Sequence, residues 1–240
     1  MPPHAVFSHL TAALLHGIPL PYDLQAPTSL DVTVPATERG IEAKHIRGHV
    51  HRLAATDVVE LDGLRLTSVP RTWCDLGSML DMRALVAAGD RVLLHTDARA
   101  SRDELARAVE LHGQRWGSRA LRAALPRLSD RAESPAESAL RVMLVDAGFP
   151  EPLVNPEIPT ADGTYRVDLA YPVLSIGLEY EGDHHRTDRR QWRRDITRIR
   201  GLEAAGWSII RFTAADLESP ADAFASLRKQ IDSRIRTLTR

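Results

Sequence analysis

Hydrophobic and polar residues alternate along the first 126 residues in patterns that predict a small α+β region with a helical connector. Apolar residues recur at helical spacing over residues 8–16. β-prone runs follow at residues 30–35, 45–53 and 58–66, and Asp62-Gly63 within the third run predicts a tight hairpin. Residues 71–126 return to helical spacing and predict three or four helices, with breaks at Gly77, Ser101 and Gly117.

The pattern changes at residues 126–131, and we interpret residues 130–240 as a second domain. A helix over residues 133–147 ends at Gly148. The other predicted elements are strands at 154–158, 164–170 and 174–180, a long helix at 188–205, a strand at 207–212 and a helix at 221–237. The order αβββαβα predicts an α/β fold in which helices flank a mixed sheet.

Composition narrows the class of protein. Of 240 residues, 43% are hydrophobic and 26% are charged, which is typical of a soluble globular protein. No apolar run approaches the ~20 residues of a membrane helix, and the first residues lack a signal-peptide pattern. The single cysteine, Cys74, cannot form an internal disulfide, so we expect a cytoplasmic protein with no membrane partner. Cys74 lies in an apolar helical stretch and is expected to be a buried small residue.

Positive charge is concentrated in one predicted helix. The net charge is −1, yet seven arginines fall between residues 186 and 200, and only Asp188 and Asp195 offset them there. Helical spacing places the apolar residues on one stripe and most arginines opposite. A solvated charged face is one interpretation, and pairing of Asp195 and Arg198 with the sheet is another. The local imbalance favours phosphate contact by Arg186, Arg189, Arg190, Arg193 and Arg194.

Three carboxylates occupy two predicted strands of the second domain. Glu179 and Glu181 are two residues apart, so they project from the same face of a strand. If the strands pair as a hairpin, Asp168 faces them. Three converging carboxylates repel one another unless a cation neutralises them, and hard oxygen ligands suit Mg²⁺ or Mn²⁺. The alternative is a set of solvent-facing charges, but the apolar neighbours of both strands favour a central position and a metal site at the strand ends.

An ordered set of motifs carries a resemblance to a known family. Glu137 on a helix, Asp168 and Glu179-x-Glu181 on strands, Gly182-Asp-His-His185 and the arginine-rich helix resemble the PD-(D/E)XK nuclease superfamily. The set is most similar to small bacterial proteins related to the very-short-patch mismatch repair endonuclease, over residues 130 to 237. Further similarity lies in Asp195 to Arg198, Gly206-Trp207 and Arg211-Phe212.

The resemblance implies a restriction-endonuclease-like fold and Mg²⁺-dependent hydrolysis of phosphodiester bonds in a nucleic acid, with DNA as the expected partner. It implies catalytic roles for Glu137, Asp168, Glu179, Glu181 and His185. Cleavage of a duplex by single-strand nicking sites would call for a homodimer. The lysine that the superfamily usually carries two positions after the second acid is Glu181 here, and Lys229 is the only lysine in this half. The alternative is therefore an inactive nucleic-acid-binding or antitoxin-like regulator that retains the fold.

Several residues have competing interpretations. Glu137 also fits a capping box that begins at Ser134, which needs no metal. His184 and His185 could be a pair of surface histidines, although His185 matches the family position. Residues 7–20 and 66–76 resemble a region of abortive-infection-type antitoxins. The first half also carries scattered histidines without a recognisable metal-binding spacing, namely His9, His16, His45, His49 and His51.

Overall fold

A computed structural model describes residues 2–182 and 189–239, the side chains of residues 189–194 excepted. The chain divides into two compact units, Met1–Asp130 and Arg131–Arg240. The sequence pattern placed the change of unit at residues 126–131. None of the helices in the described parts of the chain is long and apolar enough to cross a membrane.

The N-terminal unit is built on a five-stranded sheet. Its first elements are β1 (Val6–Phe7), α1 (His9–Leu15), β2 (Leu30–Pro35), β3 (Ile46–His51), β4 (Val58–Leu61) and β5 (Leu64–Thr67). The strand order is β3-β2-β1-β5-β4, with β2 and β3 parallel and β4 and β5 antiparallel. Asp62 and Gly63 both have positive φ, 50° and 77°, as a tight hairpin turn requires, and this confirms the predicted hairpin.

Four further helices complete this unit. They are α2 (Val69–Leu76), α3 (Met82–Leu93), α4 (Arg102–His112) and α5 (Ser118–Ala124). Ser101 caps α4 in a full capping box with Glu104, and Gly117 begins α5 with a φ of 85°. Trp73 and Cys74 on α2 are buried, so the prediction for Cys74 is confirmed. Burial raises the pKa of the Cys74 thiol to about 12, which keeps it protonated.

The C-terminal unit is a mixed sheet flanked by helices, as the sequence predicted for an α/β fold. Its elements are α6 (Pro135–Asp146), β6 (Leu153–Val154), β7 (Glu157–Thr160), β8 (Gly163–Arg166), β9 (Leu169–Tyr171), β10 (Ile176–Tyr180), α7 (Arg189–Ala204), β11 (Ser208–Phe212), α8 (Ala214–Glu218) and α9 (Ala221–Leu238). The main sheet has the order β11-β10-β9-β6, and β7 and β8 form a separate hairpin. Strand β10 is parallel to β11 and antiparallel to β9.

The two faces of this sheet bury different side chains because successive residues of a strand point to opposite sides. One face packs against α6 and α9, and its core includes Leu140, Leu178, Phe212 and Leu227. The other face packs against the β7–β8 hairpin and α7, with Val167, Ala170 and Leu202 at its centre. Gly177 and Ile209 belong to this second face, so Glu179, two residues after Gly177, points to the side of α7.

Two predicted strands are each divided in two, and the predictions of single strands at 154–158 and 164–170 are wrong. Asn155 has a φ of 48° and separates β6 from β7. Its side-chain amide donates to the Arg131 carbonyl and to Glu137 Oε2, both at 2.8 Å. Val167 and Asp168 separate β8 from β9. Helix α8, which the pattern did not predict, begins at a capping box formed by Thr213 and Asp216.

Candidate functional site

Asp168 lies immediately before β9, at the end of that strand nearest the carboxyl end of β10. The strands pair through Leu169 and Leu178, and a short 3-10 turn at Pro172–Leu174 joins them. The next position along this register brings Asp168 opposite Glu179. Asp168 Oδ2 accepts a hydrogen bond from the Tyr180 amide at 2.8 Å. The hairpin predicted for these two strands is confirmed, and it brings Asp168 to the end of β10.

The Asp168 carboxyl is in an environment that disfavours its charge. Burial raises its pKa to about 7, against the opposing effect of the Tyr180 hydrogen bond. The nearby negative charges of Glu137 and Glu179 add to the rise, and Arg198 counteracts it. Asp168 is therefore a partly protonated carboxyl at neutral pH, and the negative charges of Glu137 and Glu179 both act on it.

Glu179 is the buried carboxylate of β10, with 8% of its surface exposed. Arg198 of α7 contacts both of its oxygens, Nη1 to Oε1 and Nη2 to Oε2, the second at 3.0 Å. This forked contact is the strongest arrangement of a guanidinium and a carboxylate. The hydrogen bonds to Glu179 raise the pKa of Arg198 further, so the guanidinium stays charged. An arginine of the predicted basic helix thus compensates the central acid of the site.

The same ion-pair network continues across the sheet. Arg198 Nη2 is 2.5 Å from Asp195 Oδ1, and Arg211 Nη2 on β11 is 2.6 Å from Asp195 Oδ2. Arg211 also lies 3.9 Å from Glu179 and 3.7 Å from Glu181. Burial opposes the ionisation of Asp195, but hydrogen bonds and charge from the two arginines prevail and lower its pKa. The alternative in which Asp195 and Arg198 pair with the sheet is confirmed.

Glu181 and Glu179 differ in environment although they are two residues apart. Glu181 follows the end of β10, its backbone amide donates to the Phe212 carbonyl at 2.7 Å, and 42% of its side chain is exposed. In this unit, no three described His, Cys, Asp or Glu side chains hold their ligand atoms within 4.8 Å of one another. Glu179 is thus buried, Asp168 is half-buried, and Glu181 is at the solvent edge.

Glu137 combines a structural contact with proximity to the acids. Ser134 caps α6 by accepting from the Glu137 amide, which confirms the Ser134 cap. The Glu137 carboxylate does not return to the Ser134 amide; its Oε2 accepts from the Glu133 amide at 3.0 Å and from Asn155 at 2.8 Å. The structure therefore shows half of a capping box, and the buried Glu137 carboxylate contacts Asn155, whose backbone amide donates to the Asp168 carbonyl at 2.8 Å.

The remaining predicted residues divide between α7 and the part of the chain outside the described residues. Arg189, Arg190, Arg193 and Arg194 lie in the first turns of α7. His184, His185 and Arg186 lie outside the described residues. Lys229 is exposed on α9, which packs against the opposite face of the sheet from Glu179. Among the described side chains, Arg198 and Arg211 are the positive charges that pair with Glu179 and Glu181.

A histidine cluster in the N-terminal unit was missed by the sequence interpretation. His9, His49 and His51 have ligand nitrogens that all lie within 4.8 Å of one another. The usable signal was the spacing His49-x-His51 in a predicted strand, which places both rings on one face. His9 could not be found in this way, because it lies 40 residues earlier and joins the cluster only through the sheet.

Comparison with known proteins gives relatives for the whole chain. It is 28% identical over 232 residues to the uncharacterized protein MT2308 of Mycobacterium tuberculosis (strain CDC 1551 / Oshkosh) and to the uncharacterized protein Rv2248 of strain ATCC 25618 / H37Rv. The match covers 95% of this chain and 82% of each relative, so the similarity extends over both units. No protein-family model and no solved structure matches the chain.

Proposed function

We propose that the C-terminal unit is a metal-dependent DNA endonuclease with a restriction-endonuclease-like fold. The observation that carries the proposal is the meeting of Asp168 and Glu179 at adjacent ends of β9 and β10, with Glu137 close enough to act on the pKa of Asp168. The order of these acids along the chain is that of the superfamily which the sequence resembles. Strand ends that gather buried acids are a common location for an active site.

The chemistry of these acids suits a hard divalent cation. A pKa of about 7 means that burial and neighbouring acids hold a proton on Asp168, and a cation that replaces the proton would relieve both effects. Asp168 and Glu179 would hold Mg²⁺ or Mn²⁺ through carboxylate oxygens, and Glu181 would join them by rotation of its exposed side chain, because the three carboxylates do not all lie within 4.8 Å of one another in the structure. The bound ion would supply an activated water and stabilise the charge that develops on the phosphodiester. On binding the ion, Glu179 would give up its contact with Arg198.

Residues around the acids would hold the substrate. The arginines at the start of α7, together with Arg186, would contact phosphates and position the backbone without reading its sequence. His185 would orient or deprotonate the attacking water. Arg198 and Arg211 take the place of the missing lysine as the positive charges beside the acids. Cleavage of both strands of a duplex would need two such sites, and we propose a homodimer for that step.

A specific observation favours a second candidate, a nucleic-acid-binding or antitoxin-like regulator that does not cleave. Arg198 already compensates Glu179, and Arg211 lies 3.7 Å from Glu181. An arginine that permanently neutralises the central acid removes the need for a metal ion. In this alternative the arginine-rich helix binds phosphates and the acids serve only to hold α7 on the sheet.

A nicking assay separates the two candidates. Supercoiled plasmid is incubated with the protein and Mg²⁺ or Mn²⁺, beside an Asp168→Asn variant and a matched Asp162→Asn variant. Asp162 is an exposed acid in the turn between β7 and β8, so its substitution makes the same chemical change away from the site. The endonuclease predicts nicking by the wild type and by Asp162→Asn, and a loss of at least about 100-fold in Asp168→Asn.

The opposite result has a clear meaning. Equal and negligible nicking by all three proteins would reject the endonuclease. If salt-sensitive binding to the same DNA persists in that case, the regulator is supported. Nicking that survives in Asp168→Asn would point to a contaminating nuclease.

A further inference from the structure

The histidine cluster of the N-terminal unit has the composition and surroundings of a metal site, and we propose that it binds a divalent transition-metal ion of the zinc type. Its ligands would be His9, His49 and His51. All of the residues that carry this proposal lie within Met1–Asp130. The proposal is therefore independent of the nuclease centre in the C-terminal unit.

Three different positions of the fold bring the rings together. His49 and His51 are on β3, two residues apart, and His9 is the first residue of α1, just after β1. The rings of His9 and His49 are stacked with centroids 3.7 Å apart, and His51 lies 6.0 Å and 6.3 Å from them. A tetrahedral ion with metal–nitrogen bonds of about 2.0 Å holds its imidazole nitrogens roughly 3.3 Å apart. Ligand atoms within 4.8 Å can reach that spacing by side-chain rotation, which turns one ring out of the stack.

The hydrogen bonds of two rings leave their second nitrogens for a ligand. His49 Nε2 is 2.8 Å from Asp31 Oδ1, which leaves Nδ1. A metal-bound imidazole commonly donates its other N–H to a carboxylate, which fixes the ring and increases its basicity. His9 Nδ1 is 2.9 Å from Ser8 Oγ, which leaves Nε2. Ser8 is at the N-cap of α1, yet its hydroxyl makes no cap hydrogen bond and instead contacts His9 and accepts from Thr33 Oγ1 at 2.8 Å.

Buried carboxyl groups lie next to the cluster. The Asp31 side chain is fully buried, and its Oδ1 lies 3.6 Å from Nη1 of the exposed Arg47 side chain. Its Oδ2 has no hydrogen-bond partner in the described structure. Asp75, which acts on the pKa of His51, is also buried and has an Oδ2 without a partner. Arg71 is the buried cation here, and it divides its contacts between Asp75 and Asp57. A cation bound by the three histidines would be stabilised by the negative charge of these carboxyl groups.

The backbone of His9 adopts a strained conformation that places its ring in the cluster. His9 has a φ of 48°, a left-handed conformation that is unfavourable for a residue with a side chain. This conformation turns the buried ring toward β3. A right-handed first turn of α1 would avoid the cost and carry the ring elsewhere, so the packing of the cluster maintains the strain.

The donor set indicates the class of metal. Neutral imidazoles prefer Zn²⁺, Co²⁺, Ni²⁺ or Cu²⁺ to Mg²⁺ or Ca²⁺. Three histidines leave a fourth tetrahedral position for water or another ligand. His49 and His51 are only half-buried, which leaves a route for an ion from solvent.

Direct binding of Zn²⁺ and Co²⁺ to the full chain tests the site. The protein is stripped with a chelator, dialysed, and titrated with Zn²⁺ against a chromogenic competitor. Co²⁺ is then added to record its visible spectrum, which distinguishes tetrahedral from octahedral coordination without any variant. We expect one tight equivalent of Zn²⁺ per chain and a tetrahedral Co²⁺ spectrum that Zn²⁺ abolishes.

Matched variants assign the ligands. His51→Gln, at one of the two half-buried positions of the cluster, should weaken Zn²⁺ binding by more than about 100-fold, and Asp31→Asn by about 10- to 100-fold as a positioning residue. His45→Gln is the control, because His45 is an exposed histidine of the same unit that contacts the Thr28 carbonyl. Each variant is first checked for wild-type circular dichroism and a cooperative thermal transition.

Three results would overturn the site. The first is no stoichiometric Zn²⁺ binding, or an octahedral Co²⁺ spectrum, in the wild type. The second is a folded His51→Gln protein with wild-type affinity. The third is loss of Zn²⁺ binding in Asp168→Asn with retention in His51→Gln, which would assign the ion to the C-terminal unit.

Discussion

Glu179 and Arg198 illustrate how a single ion pair can determine the behaviour of a site. The glutamate is nearly buried, and the arginine is the partner that contacts both of its oxygens. Removing one member of such a pair leaves a charge in a place where water cannot solvate it well. The effect of a substitution therefore depends on what remains behind more than on the contact that is lost.

The Arg198→Ala variant should be destabilised by about 2–3 kcal/mol in its free energy of unfolding, since Glu179 loses its charged hydrogen bonds. Urea denaturation followed by circular dichroism measures this. Arg200→Ala is the control, because Arg200 is exposed on the same helix, and it should change stability by less than about 0.5 kcal/mol. In Glu179→Gln the loss caused by Arg198→Ala should shrink. Equal losses in both backgrounds would show that the pair does not couple.

Asp168 predicts a pH dependence of stability. Its carboxyl has a pKa of about 7 in the folded protein and near 3.8 as the ordinary value. Between these pH values the folded chain binds a proton that the unfolded chain has released. The free energy of unfolding therefore falls as the pH rises from about 4 to 7, with a slope of up to about 1.4 kcal/mol per pH unit.

Urea denaturation between pH 5 and 8, in a buffer with chelator, measures that slope. Asp168→Asn cannot lose a proton, and its amide oxygen can still accept from Tyr180. The free energy of unfolding of Asp168→Asn should fall less steeply with rising pH than that of the wild type. The difference in stability in favour of the variant should therefore be greatest above pH 7. Asp162→Asn should follow the wild-type curve. Parallel curves for wild type and Asp168→Asn would contradict the raised pKa.

The junction of α2 and α5 depends on the absence of a side chain at one position. Gly117 has a φ of 85°, and a Cβ added there would lie 2.4 Å from the backbone carbonyl carbon of Gly77. Backbone atoms cannot rotate away as a flexible side chain can, so the two helices would have to separate. Gly63, in the hairpin turn, has a φ of 77° and open space around the same position.

Gly117→Ala should therefore cost more than Gly63→Ala, although both residues are left-handed. The conformational cost alone is about 1 kcal/mol, which is our expectation for Gly63→Ala. The steric overlap should bring the loss for Gly117→Ala to about 3 kcal/mol or more. Chemical denaturation of both variants gives the comparison. Similar losses would mean that the helices adjust without cost.

Local sequence patterns predicted most elements because a helix or hairpin is determined by residues close together in the chain. Asp62-Gly63 and the Ser134 cap are examples. The divided strands could not be predicted, since the turn at Asn155 is held by contacts with Arg131 and Glu137 some 20 residues away. Pairing of Arg198 with the sheet was one of the interpretations that the sequence left open, but its partner Glu179 could not be identified, because the two become neighbours only when α7 packs on the sheet.

The two candidate sites differ in how much of each could be predicted from the sequence. The hairpin hypothesis predicted that Asp168 and Glu179 would meet, because β9 and β10 are consecutive strands. It could not predict that arginines would neutralise Glu179. The histidine cluster needs β3 to lie parallel to β2 and α1 to begin in a left-handed conformation. Neither condition can be recognised from the spacing of the histidines along the sequence.

At the scale of the whole chain, charge placement matters more than total charge. The net charge of −1 gives no general attraction to a polyanion. Any binding to nucleic acid must therefore come from a local surface, and the start of α7 has the densest positive charge in the sequence. Both proposed functions of the C-terminal unit depend on this helix, whether or not a metal ion takes part.

Substitution of Arg189, Arg190, Arg193 and Arg194 by Gln tests that dependence through the salt response of DNA binding. Each phosphate contact contributes about 0.9 to the slope of log K against log salt concentration. Fluorescence anisotropy with a short duplex at several salt concentrations should show the slope falling by about 0.9 for every arginine that contacts a phosphate. The control replaces four cations of α9, namely Arg228, Lys229, Arg234 and Arg236. Both variants lose the same total charge, so an equal fall in slope would mean that binding responds to net charge and that α7 is not the contact surface.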